Sequence, residues 1–164
     1  MDLQRQISRK LHEEHVAVCD LLDRFERALV RLQDAPAADD SSFNLLLAQV
    51  ATALQHEVSQ HFALEEEALF PRLRESGEGD LAELLFEEHE SVRAVAHPLL
   101  ELLARARSGS LDAAGWKALK LSGLELVERL GSHARKEEGS LVPVVDEMLD
   151  EATDDELYAT YGMG

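Results

Sequence analysis

Two segments of the chain carry histidine and glutamate in the same pattern. HFALEEEALFP, which begins at His61, and HARKEEGSLVP, which begins at His133, share a His, two consecutive Glu, a Leu and a Pro at identical offsets. In each segment a Glu follows the His by four residues, at Glu65 and Glu137. On a helix this spacing stacks the imidazole and the carboxylate on one face, about one turn apart. Both groups are common metal ligands, so each segment offers a candidate pair of donors.

A second pair of segments contributes one histidine each. LHEEH, which ends at His15, matches LFEEH, which ends at His89, in the Leu, both Glu and the His. His15 and His89 are 74 residues apart, and His61 and His133 are 72 residues apart. These near-equal offsets indicate that the second half of the chain repeats the first, and they predict pseudo-twofold symmetry.

Apolar residues at three- and four-residue steps predict four amphipathic helices. The predicted helices cover about Leu3 to Leu32, the stretch from the cap cluster Asp40–Ser42 to Leu73, Leu81 to Leu103, and about Asp112 to Leu149. Aromatic residues make up only 5% of the chain, which also favours helices over strands. Because short loops force neighbouring helices to run antiparallel, we expect an all-α, up-down-up-down four-helix bundle.

Other signals mark where these helices bend or end. Pro98 is expected to kink the third helix or to leave one of its carbonyls without a partner, and Pro143 is expected to interrupt the last turns of the fourth. DDEL after Thr153 is typical of a capped start, so a short fifth helix could follow. We therefore assign residues 1–150 to the four-helix bundle and residues 151–164 to an acidic C-terminal tail or short helix.

Helix lengths place the candidate donors at one height in the bundle. His15 lies about 18 residues before the end of the first predicted helix and His61 about 19 residues after the start of the second, or roughly 27 and 29 Å at ~1.5 Å per residue. For His61 and His89, and for His89 and His133, the two distances to the connecting loop differ by about four residues. This is roughly 6 Å, which the loops can absorb. We therefore expect four imidazoles and two carboxylates to share one layer of the core.

Such a layer is costly without a partner, because buried carboxylates lose their hydration. Two cations bridged by Glu65 and Glu137, each held by two imidazoles, would remove that cost. The mixed nitrogen and oxygen shell suits iron or manganese and leaves positions open to a small molecule. A single buried histidine is more often a hydrogen-bonded core residue. Four at matching offsets, with two carboxylates, favour the metal site instead.

Four further side chains lie near these donors or lack a copy in the other half. His12 lies one turn before His15 and could hydrogen-bond a metal ligand or a bound small molecule. Cys19 lies one turn after His15 and is expected to be a small buried side chain, or a thiol close enough to the site to be oxidised. His56 and His97 are expected at the surface or in contact with a ligand residue.

Several carboxylates adjoin the candidate ligands but point about 100° away from them around the helix. We expect some of them to be solvated or to hydrogen-bond a ligand, and others to be surface charges. The first set is Glu66, Glu88 and Glu138, and the second is Glu13, Glu14 and Glu67. A tyrosine from the C-terminal helix could also fold over the site.

The segments quoted above resemble those of a known family, the hemerythrin-like HHE cation-binding proteins. The resemblance spans about residues 1–150 and rests on the EEH and HxxxEE…P segments. It implies a four-helix bundle that holds a non-haem di-iron centre. By this similarity the terminal ligands are His15, His61, His89 and His133, and the bridging ligands are Glu65 and Glu137.

Two departures separate this chain from the classical oxygen carriers that it resembles. Those proteins have a second His four residues after the one on helix three, where Arg93 stands here, and they bridge with an Asp five residues after the helix-four His. The four-His, two-Glu set is instead similar to that of iron–sulfur-repair di-iron proteins and of the iron-sensing domain of a ubiquitin-ligase subunit. The resemblance therefore implies a role other than simple reversible oxygen carriage.

Two functions fit this site. The first is a di-iron protein that binds or reacts with oxygen, nitric oxide or hydrogen peroxide, as a sensor, a store or a redox catalyst such as a peroxide-decomposing enzyme. The second is an iron-responsive or iron-donating module without turnover, whose helices become ordered when the metal binds. A metal-free interaction bundle is a third interpretation of the same pattern.

Composition restricts the partners and the location. The chain has 16 Lys+Arg and 33 Asp+Glu, a formal net charge of −17, which disfavours nucleic acid and anionic membranes as partners. No apolar run approaches the ~20 residues of a membrane span, and the charged N-terminal residues are unlike a signal peptide. Cys19 is the single cysteine, which favours a reducing compartment. We therefore expect a cytoplasmic protein with a small-molecule ligand, and a protein partner stays open.

Overall fold

The computed structural model of the protein describes residues 2–33, 35–36 and 40–162. These residues form helices and connecting segments, which confirms the predicted all-α class. The helices are α1 (Gln6–Arg31), the composite helix α2, α3 (Gly79–Arg107), α4 (Ala113–Gly139), α5 (Leu141–Met148) and α6 (Glu151–Gly162). In α2 the α-helical segments Ser41–His56, Phe62–Leu64 and Phe70–Glu75 alternate with the π-helical segments Glu57–His61 and Glu65–Leu69. Across the described residues, no helix combines the length and the low polarity that a bilayer crossing requires.

Helices α1 to α4 pack as a bundle in cyclic order. α4 makes the most extensive contacts, with α3 and α1, and α2 packs against α3 and α1. His15 and His89 lie in the first halves of α1 and α3, whereas His61 and His133 lie in the second halves of α2 and α4. Because these four side chains meet in the core, consecutive helices run in opposite directions. The predicted four-helix bundle with an additional C-terminal helix is confirmed.

Two apolar clusters form the core, one on each side of the histidine layer. Phe25 belongs to the cluster near the α1–α2 and α3–α4 connections, and Phe70 belongs to the cluster near the chain termini. On α1 the sequence passes from Leu11 in the second cluster, through His15, to Val18 in the first. The polar layer is therefore enclosed by hydrocarbon along the bundle axis, which lowers the local dielectric around it.

Aspartate caps fix the starts of two bundle helices. The Asp40 carboxylate accepts a hydrogen bond from the Phe43 amide at 3.0 Å, and the Asp112 carboxylate accepts one from the Gly115 amide at 2.8 Å. Each cap satisfies an amide that has no partner inside the first turn of its helix. The predicted starts of α2 at the Asp40 cluster and of α4 near Asp112 are confirmed.

Two glycines allow tight connections between the helices. Gly77, between α2 and α3, has a φ of +90°, and Gly109, between α3 and α4, has a φ of +72°. Side chains are strained in this left-handed region, whereas glycine adopts it readily. The short turns bring the following helix back along the one before it.

Proline acts differently at equivalent positions of the repeat. The predicted interruption near Pro143 is confirmed, and the break lies three residues earlier at Ser140 (φ −131°, ψ −66°), between α4 and α5. Proline has no N–H to donate, and its ring collides with the carbonyl four residues back, so the chain breaks before it. Pro71 instead follows the π-helical segment Glu65–Leu69 within a continuous helix. α3 continues through Pro98 to Arg107.

The C-terminal helix docks on the N-terminus of α1. The prediction of a start at Thr153 was wrong, because α6 begins at Glu151 and the Asp150 carboxylate accepts a hydrogen bond from the Thr153 amide at 2.7 Å. Asp154 is only 3% exposed, and its carboxylate accepts hydrogen bonds from the amides of Gln6 and Ile7 at 2.8 and 2.9 Å. α6 thus caps the first turn of α1 from another part of the chain.

Candidate metal centre

The six predicted metal ligands meet in one buried layer, which we call the donor layer. Their side chains are at most 1% exposed. Their donor atoms form two groups of four, and within each group the atoms lie within 4.8 Å of one another. The first group is His15, His61, Glu65 and Glu137, and the second is Glu65, His89, His133 and Glu137. Both groups contain the same two carboxylates, Glu65 and Glu137.

Each shared carboxylate lies between a histidine of the first half and a histidine of the second. Oε1 of Glu137 is 3.0 Å from Nε2 of His15 and 3.2 Å from Nε2 of His133. Oε1 of Glu65 is 3.4 Å from Nε2 of His61 and 3.3 Å from Nε2 of His89. Each of the two carboxylates therefore lies close to imidazoles of both groups.

Helix α2 positions its two donors by local departures from α-helical geometry. One π-helical segment ends at His61, and the next begins at Glu65. A π-helical turn widens the helix by one residue, and such turns recur at functional sites. In α4, by contrast, His133 and Glu137 lie within regular α-helix. The two halves of the repeat therefore present the same donors from different backbones.

Unpartnered polar atoms show that the donor layer fits a cation. Nε2 of His61, His89 and His133 have no hydrogen-bond partner, and neither do the two carboxylate oxygens of Glu65 or Oε2 of Glu137. Buried polar atoms without partners are rare because each costs free energy. Metal coordination would satisfy all of them, and the mixture of imidazole nitrogen and carboxylate oxygen is one that suits iron or manganese.

A carboxylate outside the layer orients each of the four imidazoles. In every case Nδ1 donates the hydrogen bond, so Nε2 is left to face the donor layer. The pairs are His15 with Glu138 at 2.6 Å, His61 with Glu14 at 2.6 Å, His89 with Glu66 at 2.6 Å, and His133 with Glu88 at 2.8 Å. We call these four glutamates the outer carboxylates.

The outer carboxylates act between neighbouring helices in a closed cycle. Glu14 on α1 contacts the histidine of α2, Glu66 on α2 that of α3, Glu88 on α3 that of α4, and Glu138 on α4 that of α1. The second glutamate of every EEH and HxxxEE segment therefore has a partner on the next helix. This cycle couples the orientation of the ligands to the packing of the whole bundle.

The structure corrects one prediction about these carboxylates. Glu14 was expected to be a surface charge, but its side chain is only 14% exposed. The residue next to His15 points about 100° away from it, and on α1 this direction leads to α2 rather than to solvent. Glu13 and Glu67 are exposed, as expected.

A tyrosine and a histidine complete the surroundings of Glu14. The Tyr161 hydroxyl on α6 donates to the Glu14 carboxylate at 2.8 Å, and Nε2 of His56 lies 3.1 Å from the same carboxylate. Burial raises the pKa of Glu14, but its hydrogen bonds to His61, Tyr161 and His56 outweigh burial and lower it to about 2. Glu14 is thus an ionised acceptor that links the C-terminal helix to a candidate ligand.

The remaining candidates lie outside the donor layer. Nδ1 of His12 donates to Glu138 at 2.7 Å, so His12 supports an outer carboxylate. Arg93 donates to Glu66 at 2.6 Å and lies 5.3 Å above the centre of the Phe62 ring. Arg93 therefore contacts two neighbours of His89, the outer carboxylate Glu66 and the Phe62 ring. Cys19 is half-buried against the apolar core, and burial raises the pKa of its thiol. His97 is exposed, as expected.

Aromatic rings close the layer on the His89 side. Phe62 stacks on His89 with ring centres 3.7 Å apart and an angle of 6° between the rings. The Phe70 ring centre lies 5.4 Å from that of His89. Both phenylalanines are fully buried. This wall restricts the space at the layer and excludes water from one side of it.

Burial and mutual charges shift the donor pKa values in opposite directions. Burial lowers the pKa of His15 and His133, but their interactions with Glu137 outweigh burial and raise both to about 9. Burial and the Glu137 charge raise the pKa of Glu65 to about 8. Against the effect of burial, His133 holds the pKa of Glu137 well below its usual range. Burial and the His133 charge lower the pKa of His89 to about 2.

One buried carboxylate at the site was missed in the sequence. Glu57 is 3% exposed, and its Oε1 lies 3.7 Å from Nε2 of His61. The available signal was its position four residues before His61, which places the two side chains on one face. The repeat does not mark this position, because the second half has Arg129 there.

Comparison with known protein families agrees with this geometry. The chain matches the family model of the hemerythrin HHE cation binding domain over residues 6–145. The matched region contains all six residues of the donor layer and the four outer carboxylates. No individual curated protein matches the sequence. Since the family model covers most of its length, the chain belongs to the hemerythrin HHE cation-binding domain family.

Proposed function

We propose that the protein holds two iron ions in the donor layer and binds a small oxidant or diatomic molecule there. The observation that carries this proposal is the pair of four-donor groups that share Glu65 and Glu137. Two positions with common carboxylates suit a bridged pair of cations better than a single ion. In the proposed centre each ion also has two imidazoles, and iron supplies an open coordination position and a change of oxidation state.

Enclosure of the layer supports a small ligand. Every donor is at most 1% exposed, and Phe62 and Phe70 pack against His89. Such a space suits oxygen, nitric oxide or hydrogen peroxide better than a larger organic substrate. The protein's part in this function is to hold the imidazoles by the outer carboxylates and to exclude bulk water. We further propose a cytoplasmic location, on the basis of the single cysteine.

Anaerobic loading with ferrous iron tests the proposal. We expect about two irons per chain in the wild type and in His97→Ala, which changes an exposed histidine. Glu65→Ala should lose most of the iron, because it removes a carboxylate that belongs to both groups of donors. Separate exposure of the loaded protein to oxygen, nitric oxide and peroxide should then change its near-ultraviolet absorption. Unchanged iron content in Glu65→Ala would contradict the proposal. So would a near-ultraviolet absorption that none of the three molecules changes.

A second candidate is an iron-responsive or iron-donating module without turnover. The unpartnered imidazole and carboxylate atoms favour it, since they destabilise the metal-free fold and metal binding would recover that free energy. Under this function, iron should raise the melting temperature strongly while added peroxide evolves no oxygen. Oxygen evolution over many turnovers would instead identify a peroxide-decomposing catalyst.

A further inference from the structure

Glu57 is a buried carboxylate at the edge of the donor layer. Its side chain is 3% exposed, and its Oε1 has no hydrogen-bond partner. That oxygen lies 3.7 Å from Nε2 of His61, which is itself unpartnered. A carboxylate is rarely buried without a partner, because burial costs several kcal/mol unless the charge is compensated. Glu57 therefore has the features of a ligand that faces a cation.

The repeat does not provide a counterpart to Glu57. The position four residues before His133 is Arg129, whose guanidinium donates to the Ser91 carbonyl at 2.9 Å and forms an ion pair with Glu125. Glu57 begins a π-helical segment that ends at His61, whereas Arg129 lies in regular α-helix. The extra carboxylate thus belongs to one half of the site only.

A groove between α1 and α2 leads from solvent to this carboxylate. Its volume is about 760 Å³, and its lining includes Glu14, His56 and Glu57. The rest of the lining is mixed, with apolar residues such as Leu21 beside charged ones such as Arg24. Glu57 therefore contacts the groove although its side chain is buried, and Nε2 of His61 lies 3.7 Å from its Oε1.

We propose that Glu57 is a seventh protein ligand, which binds the ion held by His15 and His61. This inference rests on the proposed di-iron function and adds an asymmetry to it. The ion at His15 and His61 would have one more protein oxygen than the ion at His89 and His133. A small molecule would consequently bind at the second ion, where more coordination positions stay open.

Glu57→Gln and Arg129→Gln form a matched pair for the test, because they change equivalent positions of the repeat. Ferrous affinity is measured anaerobically by competition with a chelator. We expect Glu57→Gln to lower the affinity for one of the two ions at least about tenfold. The affinity for the other ion should not change. Arg129→Gln should bind both ions as the wild type does. Wild-type affinity for both ions in Glu57→Gln would overturn the inference.

Mössbauer spectra of the wild-type protein, loaded with ferrous iron enriched in the Mössbauer isotope, test the inference without a substitution. We expect two distinct iron signals of equal area in the wild type, because the two ions have different ligands. In Glu57→Gln one signal should shift or disappear. A single signal in the wild type, or identical spectra in the two proteins, would overturn the inference even if Glu57→Gln folded poorly.

These outcomes separate the inference from the proposed function. If the wild type binds no iron, or Glu65→Ala binds as much as the wild type, the di-iron function itself fails. If the wild type binds two irons that depend on Glu65 but not on Glu57, the di-iron function stands and only the seventh ligand is rejected.

Discussion

The Glu14 carboxylate on α1 accepts a hydrogen bond from Nδ1 of His61 on α2 at 2.6 Å. This contact fixes the ring orientation and leaves Nε2 of His61 directed at the donor layer. The same arrangement joins α2 to α3, α3 to α4 and α4 to α1. Each imidazole is therefore oriented by the neighbouring helix, so correct packing of the bundle and correct placement of the ligands depend on each other.

Neutralising an outer carboxylate should weaken metal binding without removing a ligand. Glu14→Gln keeps the size of the side chain, but its amide is a weaker acceptor for Nδ1 of His61 than an ionised carboxylate. We expect iron affinity to fall about 10- to 100-fold, measured by competition with a chelator under anaerobic conditions.

Glu13→Gln is the control for this prediction, because the neighbouring Glu13 is exposed. It changes the net charge by the same amount one position away, so it should leave iron affinity unchanged. Equal losses in the two variants would show that the overall charge of the surface, and not the contact with His61, governs binding.

Metal binding should release protons at neutral pH. In the metal-free protein the pKa values of His15 and His133 are raised to about 9, so both imidazoles carry a proton at pH 7 that coordination must displace. Apparent iron affinity should therefore rise as the pH increases from about 6.5 to 9. Calorimetry in buffers of different ionisation enthalpy measures the protons released, and a binding enthalpy independent of the buffer would contradict the prediction.

The stability of the metal-free protein should change in the opposite direction over the same range. A histidine whose pKa is raised by folding contributes stability that is complete below about pH 6.5 and is lost as the pH rises through about 9. His89, whose pKa is lowered to about 2, does not titrate in this range. Urea unfolding of the metal-free protein at several pH values checks the sign.

The donor layer could be predicted because its geometry is encoded locally and twice. The four-residue spacing of His61 and Glu65 fixes their common face on any helix, and the repeat supplies the same pair at His133 and Glu137. Helix lengths then place these donors at one height. None of these steps requires knowledge of how the side chains of two helices meet.

Other features of the site depend on contacts between helices and were therefore not predictable. Whether Glu14 faces solvent or α2 depends on the rotation of α1 in the bundle, which the sequence leaves open. Glu57 has no copy in the second half, so the repeat did not identify it. The contacts of Asp154 and Tyr161 likewise depend on where α6 docks, and periodicity within α6 does not reveal that.

Close packing of α1 against α4 should make one glycine sensitive to substitution. A Cβ at Gly123 would lie 2.5 Å from Cδ1 of Leu29 and 3.0 Å from Cζ of Phe25. Gly123→Ala should therefore lower the free energy of unfolding by about 1–3 kcal/mol. Gly139→Ala is the control, since a Cβ there meets no atom within 4 Å. If urea unfolding shows Gly123→Ala to be no less stable than Gly139→Ala, the close contact between the helices is refuted.

Docking of the C-terminal helix should stabilise the start of α1. The side chain of the N-cap residue Arg5 makes no capping hydrogen bond. The amides of Gln6 and Ile7 donate to Asp154 instead. Asp154→Ala leaves these amides without that partner and should lower the free energy of unfolding by about 1–2 kcal/mol. Glu156→Ala changes an exposed residue of the same helix and should be nearly neutral in the same urea titration. Since the Asp154 carboxylate accepts its hydrogen bonds from the start of α1, folded Asp154→Ala should bind as much iron as the wild type. A loss of iron would mean that α6 also holds the metal site together.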